Sequence, residues 1–450
     1  MKKILLALSL IILVSNSSYS FETKVENPLA NKTSSMFDGK NKNEIKQEEK
    51  SIDNILRVGL LLPLTGHAEQ IGEALKNSAL MAGFETAGDN FVMQFYDTQG
   101  REDKTTQAFN EAIGQGVDLI IGPLFANEVK AITPLAQKEG VKVISFTSDT
   151  NVIGGNIYSM ALTVPQQIND IVNYACKSGS KKFALVTRDD EYGKTVADAF
   201  GIAVGACEMA EITGEGYYNL KNDEEEASNM AEVVRLLIGE KAFLVDNERA
   251  KQKQRTFRKP QIITKNGKVI NLSDDSNISS EDVNPDFDTI LIADEGSRLR
   301  SVAALLSYYD VTAKNTKIIG TSLWNDLNVN KEPSMIKSLF PALDDDGFND
   351  FASRYKSLYN KAPPRLASQA YDAIALVATL TKNYDKKYVT EEMLTSPSGF
   401  FGVDGIFRLN ENGYCERDLI IYQVGKTKNF KVTNPKESFE EESSLSNYEE

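Results

Sequence analysis

A chain of 450 residues exceeds what one compact core usually organises and predicts two or three domains. Its composition, 41% hydrophobic and 25% charged with 29 Gly and 13 Pro, excludes collagen, a disordered chain or a membrane bundle as the whole molecule. The 64 acidic against 50 basic residues give a formal charge of -14, which disfavours a general nucleic-acid binder, and the single histidine, His67, excludes His-centred zinc sites.

Lys2 and Lys3 precede the apolar run Ile4 to Val14, broken only by Ser9, and Ser18 and Ser20 supply small residues before a cut at Phe21. This order predicts an export signal over residues 1–20, because the run is about half of what a bilayer span needs. No Cys lies near the cut to carry a lipid anchor, and no other run approaches a membrane span, so a soluble periplasmic protein is expected. Residues 21–54, with six Lys against seven acidic residues and little periodicity, read as a flexible polar leader. At the other end residues 428–450 read as an acidic tail, whose last fourteen residues hold six Glu and no basic group.

Between the ends the chain alternates strand, loop and helix. Val58–Leu62 is an apolar run stopped by Pro63, followed by the loop Leu64 to His67 and a helical segment from Glu69 to Ala87. Phe91–Tyr96, Val117–Ile121 and Val141–Phe146 read as further strands, separated by helices at about Glu102–Ile113 and Asn127–Lys138. The pattern restarts after residue 160, with a helix from Pro165, a strand at Lys182–Thr187 and a helix from Lys194 to about Val204. A strand is expected at Cys207–Ile212 and a helix at Glu224–Ile238. Residues 239–285 read as a solvated insertion with a basic patch (Lys251, Lys253, Arg255, Arg258, Lys259) and short strands near Gln261–Thr264 and Val269–Leu272. Phe287–Ala293, Ser297–Tyr309 and Lys317–Gly320 continue as strand, helix, strand. Helices are expected at Gly347–Tyr359, with Asp346 nearest the cap, and at Leu366–Leu380. Gly405–Leu409 and Leu419–Val424 read as a strand pair about the turn Asn412-Gly413. Strands this apolar, separated by helices, predict α/β halves with parallel sheets covered on both faces.

Ligands of such sheets bind outside the carboxyl ends of the strands. The candidates there are Thr65, Asn127, Thr147, Ser148, Asp189, Tyr192, Asp294, Glu295, Trp324 and Asp326. Hydroxyls and unpaired helix-start N–H groups suit a carboxylate, the acids suit an ammonium group, and Tyr192 or Trp324 could wall an apolar portion. Thr147 or Ser148 could equally be a helix cap, and Trp324 a packing residue. His67 lacks the nucleophile and orienting partner of a general base. Dinucleotide, phosphate-loop, serine-elbow, Cys-x-x-Cys and calcium-loop signatures are missing, so no enzyme, cofactor or metal is expected. Three cysteines leave at least one unpaired; a Cys176–Cys207 bridge and buried free thiols both remain open.

The stretch Arg57 to Gly66 with Gly72, Asp97-Thr98, Ile121 to Leu124, Thr147-Ser148, Glu191-Tyr192-Gly193-Lys194 and Gln369 to Ala373 resembles, in order, the type I periplasmic binding proteins of the branched-chain amino-acid-binding (Leu-binding-like) kind. Gly320 to Asp326, and Gly402 to Leu409 with Asn412-Gly413, look like the penicillin-binding protein activator branch of that fold. The resemblance covers roughly residues 55–427 and implies two Rossmann-like parallel-sheet lobes joined by a three-crossover hinge. It implies lobe 1 at 55–158 plus 324–382, and lobe 2 at 159–322 plus 383–427. It also aligns Ala126 or Asn127 with a ligand-carboxylate Ser, Thr147 and Ser148 with the next carboxylate loop, Tyr192 with the second-lobe aromatic, and Trp324 with the ammonium-binding acid. Two departures follow: the Ser is missing, and an indole replaces the acid. The activator branch would further carry a lipid-attachment Cys and an N-terminal helical region, which this sequence does not show. The function expected first is capture of a small polar ligand, an amino acid or peptide-like solute, for ABC-type import through a permease. The alternative is a penicillin-binding protein activator, a non-catalytic regulator of peptidoglycan synthesis that contacts a cell-wall synthase ectodomain.

Overall fold

The computed structural model describes residues 55–219, 223–252, 262–263, 269–270, 283–325, 329–384 and 388–439. The expected signal, the polar leader, Asp326, Lys253 to Lys259 of the basic patch and the end of the acidic tail lie outside these residues. The chain divides into two units, one formed by the chain up to Ala161, Asp345–Arg417 and the segment from Glu437, the other by Leu162–Asp344 and Asp418–Lys436.

The first unit holds β1 (Leu56–Leu62), α1 (Glu69–Thr86), β2 (Phe91–Asp97), α2 (Glu102–Gly114), β3 (Leu119–Ile121), α3 (Ala126–Glu139), β4 (Lys142–Ser145) and β5 (Ile157–Ser159). Its sheet is wholly parallel, in the order β2-β1-β3-β4-β5. Side chains alternate between two cores, as the strand period of two requires. Val58, Leu60 and Leu62 meet Leu75 and Ala79 of α1 and Ile374 and Val377 of the later helix Ala367–Tyr384. Leu61 and Ile120 meet Phe109 of α2 and Val129 and Ile132 of α3.

The second unit holds α4 (Val164–Lys177), β6 (Lys182–Arg188), α5 (Glu191–Gly205), β7 (Glu211–Tyr218), α6 (Asp223–Ile238), α7 (Glu240–Gln252), the short pair β8 (Ile262–Ile263) and β9 (Val269–Ile270), β10 (Thr289–Ala293), α8 (Gly296–Tyr308), β11 (Lys317–Gly320) and β12 (Leu339–Ala342). Its seven-stranded sheet runs β17-β16-β12-β11-β10-β6-β7, where β16 is Ile420–Gln423 and β17 is Phe430–Lys431. Those last two pair antiparallel and the remainder parallel. Alternation again separates two cores. Ala184, Val186, Ile290 and Ile292 face α6 and α8, whereas Phe183, Leu185, Leu291 and Ala293 face α4 and α5.

The chain returns to the first unit with α9 (Asp345–Tyr359), α10 (Ala367–Tyr384), α11 (Glu391–Leu394) and an antiparallel sheet of β13 (Phe400–Gly402), β14 (Gly405–Leu409) and β15 (Cys415–Arg417).

Several expectations are corrected. The second passage between units lies at 344/345 instead of near 323, because β12, unrecognised beforehand, pairs with β11 and β16. The third lies at 417/418 instead of 383, because Phe407, Leu409 and Cys415 join the core of the first unit. The turn at Asn412-Gly413 joins β14 to β15, so Leu419–Val424 is not its strand partner. Cys207 precedes β7 instead of opening it, and α7 was not foreseen in the supposed insertion. The acidic tail does not begin at 428: β17 pairs with β16, and Phe439 is buried under the Arg408 guanidinium. Asp346 is inside the first turn of α9, not its cap.

Asp372 on α10 is a fully buried acid in the first unit. Its Oδ1 accepts from the Val403 N–H at 2.7 Å, and its Oδ2 lies 3.3 Å from Arg417 Nη1. Burial pushes its carboxyl up to about 6, against the pull of Arg417. An acid whose folded pKa is raised gives stability that is present at low pH and lost as pH rises through the folded value. Relative to Asp372→Asn, the protein should therefore lose roughly 3 kcal/mol between about pH 4 and pH 7. Paired urea titrations across that range check this; a difference that is flat with pH would contradict it.

Cys176 and Cys207 form a disulfide with Cα atoms 6.3 Å apart, and Cys415 is free and buried. The bridge spans 31 positions between α4 and the turn after α5. Closing a loop of that length removes about 3–4 kcal/mol of unfolded-chain entropy. Replacing both cysteines with Ser should lower unfolding stability by that order, read as a reduced urea midpoint of the second unit.

Candidate functional site

The carboxyl ends of the strands in each unit are built by close contact between a strand exit and the following helix. In the first unit Asp97, at the end of β2, organises the loop after β1. Its Oδ1 accepts from the backbone N–H of Leu64 (2.9 Å), Thr65 (3.1 Å) and Gln99 (3.0 Å), and its Oδ2 accepts from Thr65 Oγ1 (2.6 Å). The Thr65 hydroxyl is thus engaged within the chain. Beside this loop the His67 ring stacks on Phe125 with centroids 5.6 Å apart. Phe125 was not singled out by sequence reasoning, and its position just before α3 was the available signal. Buried Glu128 holds the start of α3, accepting from the Phe125 N–H at 3.0 Å and from Thr105 Oγ1 at 2.8 Å.

Asn127 is exposed in the first turn of α3, and its Nδ2 reaches Glu102 Oε1 at 3.3 Å. Thr147 is buried; its Oγ1 accepts from the Asp149 N–H at 3.2 Å and its carbonyl from Ser159 Oγ at 2.6 Å. Ser148 is exposed. The cap of the following 3-10 turn is Asp149, accepting from the Asn151 N–H at 2.9 Å, not Thr147 or Ser148.

In the second unit Asp190 caps α5 through Gly193 N–H at 2.9 Å and lies 3.2 Å from Arg188 Nε. A Cβ on Gly193 would fall 1.7 Å from the Arg188 carbonyl oxygen, so the helix can start this close to β6 only with Gly there. Arg188 lies over the Tyr192 ring at 4.4 Å, and burial raises the Tyr192 phenol above its ordinary range. Asp189 is exposed and lines a cavity of about 370 Å³ with Arg188, Lys194, Ala197, Asp198 and Tyr217.

Asp294 is the buried centre of this end of the sheet. Its Oδ1 accepts from the Glu295 N–H at 2.7 Å, both oxygens accept from Arg298 Nε at 3.1 Å, and Oδ2 accepts from the Tyr218 hydroxyl. Arg188 Nη1 approaches Oδ1 at 4.0 Å. Burial first, then the bond to Asp294, drives the Tyr218 phenol well above its ordinary range. Glu295 is exposed at the start of α8. Tyr218 and Arg298 were missed. Arg298 stands four residues after Asp294, but Tyr218 is 76 residues away and left no local signal.

Trp324 is corrected outright. Its side chain is fully buried in the core with Phe340, and its Nε1 donates to the Asp294 carbonyl at 3.1 Å. A Cβ on Gly320 would meet the indole at 2.1 Å, so the Gly320-Thr321-Ser322-Leu323-Trp324 motif is a packing device. The structure therefore gathers Asp189, Tyr192, Asp294 and Glu295 at one strand end of the second unit, and Thr65, Asn127, Thr147 and Ser148 at strand ends of the first. Asp326 lies outside the described residues.

Residues 55–237 match the family model described as periplasmic binding protein. The Leu/Ile/Val-binding protein BraC3 of Rhizobium johnstonii is 26% identical over 171 residues, covering 36% of this chain and 47% of that protein. The penicillin-binding protein activator LpoA of Pasteurella multocida is 27% identical over 150 residues, covering 32% of this chain and 25% of that protein. The matched stretch is thus less than half the length of either relative. Among solved structures, the LpoA C-domain of Haemophilus influenzae superposes with a TM-score of 0.56 at 17% identity, covering 84% of this chain and all of that one. The resemblance to type I periplasmic binding proteins holds, and the fold is theirs. Among the described residues no helix is long and apolar enough to cross a membrane, and no group of three or more His, Cys, Asp or Glu is placed to hold a metal ion.

Removing the Tyr218 hydroxyl leaves a buried carboxylate short of a donor. Tyr218→Phe should cost about 2 kcal/mol. Trp324, the single tryptophan of the chain, sits in the same core as Tyr218, so its fluorescence in a urea titration reports the loss. An unchanged midpoint would mean the hydroxyl contributes nothing to Asp294.

Proposed function

We propose that the chain is an extracytoplasmic, non-catalytic module of the penicillin-binding protein activator kind, working by contact with a cell-wall synthase ectodomain and not as the amino-acid receptor of an importer. The observation that carries this reading is the state of Asp294. Both carboxylate oxygens are engaged by Tyr218, Arg298 and the Glu295 N–H, and the residue is fully buried. An amino acid brings an ammonium group that needs an open acceptor, and burying it unpaired is expensive. Trp324, aligned with the ammonium-binding position, is inside the core. The matches to LpoA proteins and to the LpoA C-domain support the same reading.

Solute capture stays as a second reading because of the Leu/Ile/Val-binding relatives and the exposed Ser148 in the carboxylate loop. Its ligand would then be a carboxylate without an ammonium group.

Thermal unfolding of the exported chain against the twenty amino acids and a set of simple aromatic and aliphatic carboxylates separates these readings. A ligand at a hundred times its Kd adds about 2.7 kcal/mol, a shift of several degrees. We expect no shift with any amino acid, and micromolar binding of a purified synthase ectodomain by calorimetry. A several-degree shift with leucine or another amino acid would overturn the proposal; a shift with carboxylates alone would favour the second reading.

A further inference from the structure

The chain leaves or enters the first unit at 161/162, 344/345, 417/418 and 436/437. Three of these four passages begin at residues held by one polar network inside that unit. The carbonyl of Met160, beside the first passage, accepts from Arg417 Nε at 3.1 Å, and Arg417 is itself the last residue before the third. Asp345, the first residue after the second, accepts from Arg365 Nη1 at 2.7 Å.

Both arginines lead to the same stretch of chain. Arg417 Nη1 meets Asp372, which holds the Val403 N–H, and Arg365 Nη2 lies 2.9 Å from Asp404 Oδ1. Asp404 Oδ2 accepts from Ser368 Oγ at 2.6 Å. Ser368 and Asp372, four apart, lie one turn apart on one face at the start of α10, and Arg365 stands in the turn two residues before that helix. Ser368, Asp372, Asp404 and Arg417 are all at most 2% exposed, where an ion pair that loses one partner leaves a costly bare charge. Opening one link therefore penalises the others, because Val403 and Asp404 are consecutive residues shared by the two pairs.

We propose that the Asp372–Arg417 and Asp404–Arg365 pairs act as a single clamp that makes the first unit's ends of these three connections open and close as one cooperative element, not as three independent ones. Whatever passes along those three connections then passes through the first turns of α10. Glu416, which precedes Arg417 on β15, does not replace Asp372 as its carboxylate partner, since Glu416 pairs with Arg408 at 2.7 Å.

Native-state hydrogen exchange on the full chain, followed by mass spectrometry through a series of low urea concentrations, tests this directly. Peptides covering 158–161, 345–349 and 415–417 should converge on one opening reaction with one urea dependence. Ser368→Ala, which touches only the Asp404 arm, should lower protection in all three by a similar factor of about ten. Loosening confined to 345–349 in that variant, or three separate urea dependences in the unaltered protein, would overturn the proposal. The second comparison needs no variant, so a failure of Ser368→Ala to fold leaves the test intact.

Discussion

Both main sheets are covered by helices on both faces, and this confines recognition to the rims of the sheets. In the first unit successive residues of β1 enter opposite cores, Leu60 on one side and Leu61 on the other. In the second, Phe183 and Ala184 divide in the same way. Among the described residues no central strand has a face left to meet a ligand, so chemistry must come from the loops at the carboxyl ends. What those loops can do depends on how many of their polar groups the fold has already used.

Much of that polarity is used. Asp97 collects three N–H groups and a hydroxyl, and Asp294 collects a guanidinium, a phenol and an N–H. Both acids therefore stabilise the loops that a ligand would otherwise be expected to address. The contrast with Asp372 is instructive. All three carboxylates are satisfied by the chain, but Asp372 depends on a buried arginine and sits where desolvation outweighs that partner, whereas Asp97 draws on several backbone donors. Of the candidate residues, those left exposed at the rims are Thr65, its hydroxyl held by Asp97, and Asn127, Ser148, Asp189 and Glu295. They are scattered between units and include no buried, preorganised acceptor for a cation.

The strand and helix order was legible because doubly covered strands are continuous apolar runs and their helices carry a clear period; β1, β6, β10 and β11 fall where those runs are. Elements without such a run escaped. β5 has three residues, β12 carries Pro341, and α7 is interrupted by charge. The site was less legible. Sequence order places a residue at a strand exit but not the direction of its side chain, and Trp324 turned inward. Its signal was Gly320, four residues earlier, whose missing side chain makes room for the indole. Tyr218 and Arg417 could not have been paired with Asp294 and Asp372 from spacing, since 76 and 45 residues separate them.

The motifs that carry the resemblance therefore divide by physical role. Gly193 lets α5 start against the end of β6, and Gly320 seats Trp324. Asp372 and the Val403-Asp404 pair, from two separate matching stretches, meet in one buried network. These are demands of packing, and they would persist in any chain that kept the fold while changing what it binds. The positions free to vary without disturbing the core are exposed rim residues such as Asn127, whose amide reaches Glu102, whereas the buried Asp294 is closed by its own neighbours. Matching motifs thus argue for the architecture, whereas function is decided at the rim, where Asp294, already engaged by its own chain, offers an ammonium group no open acceptor.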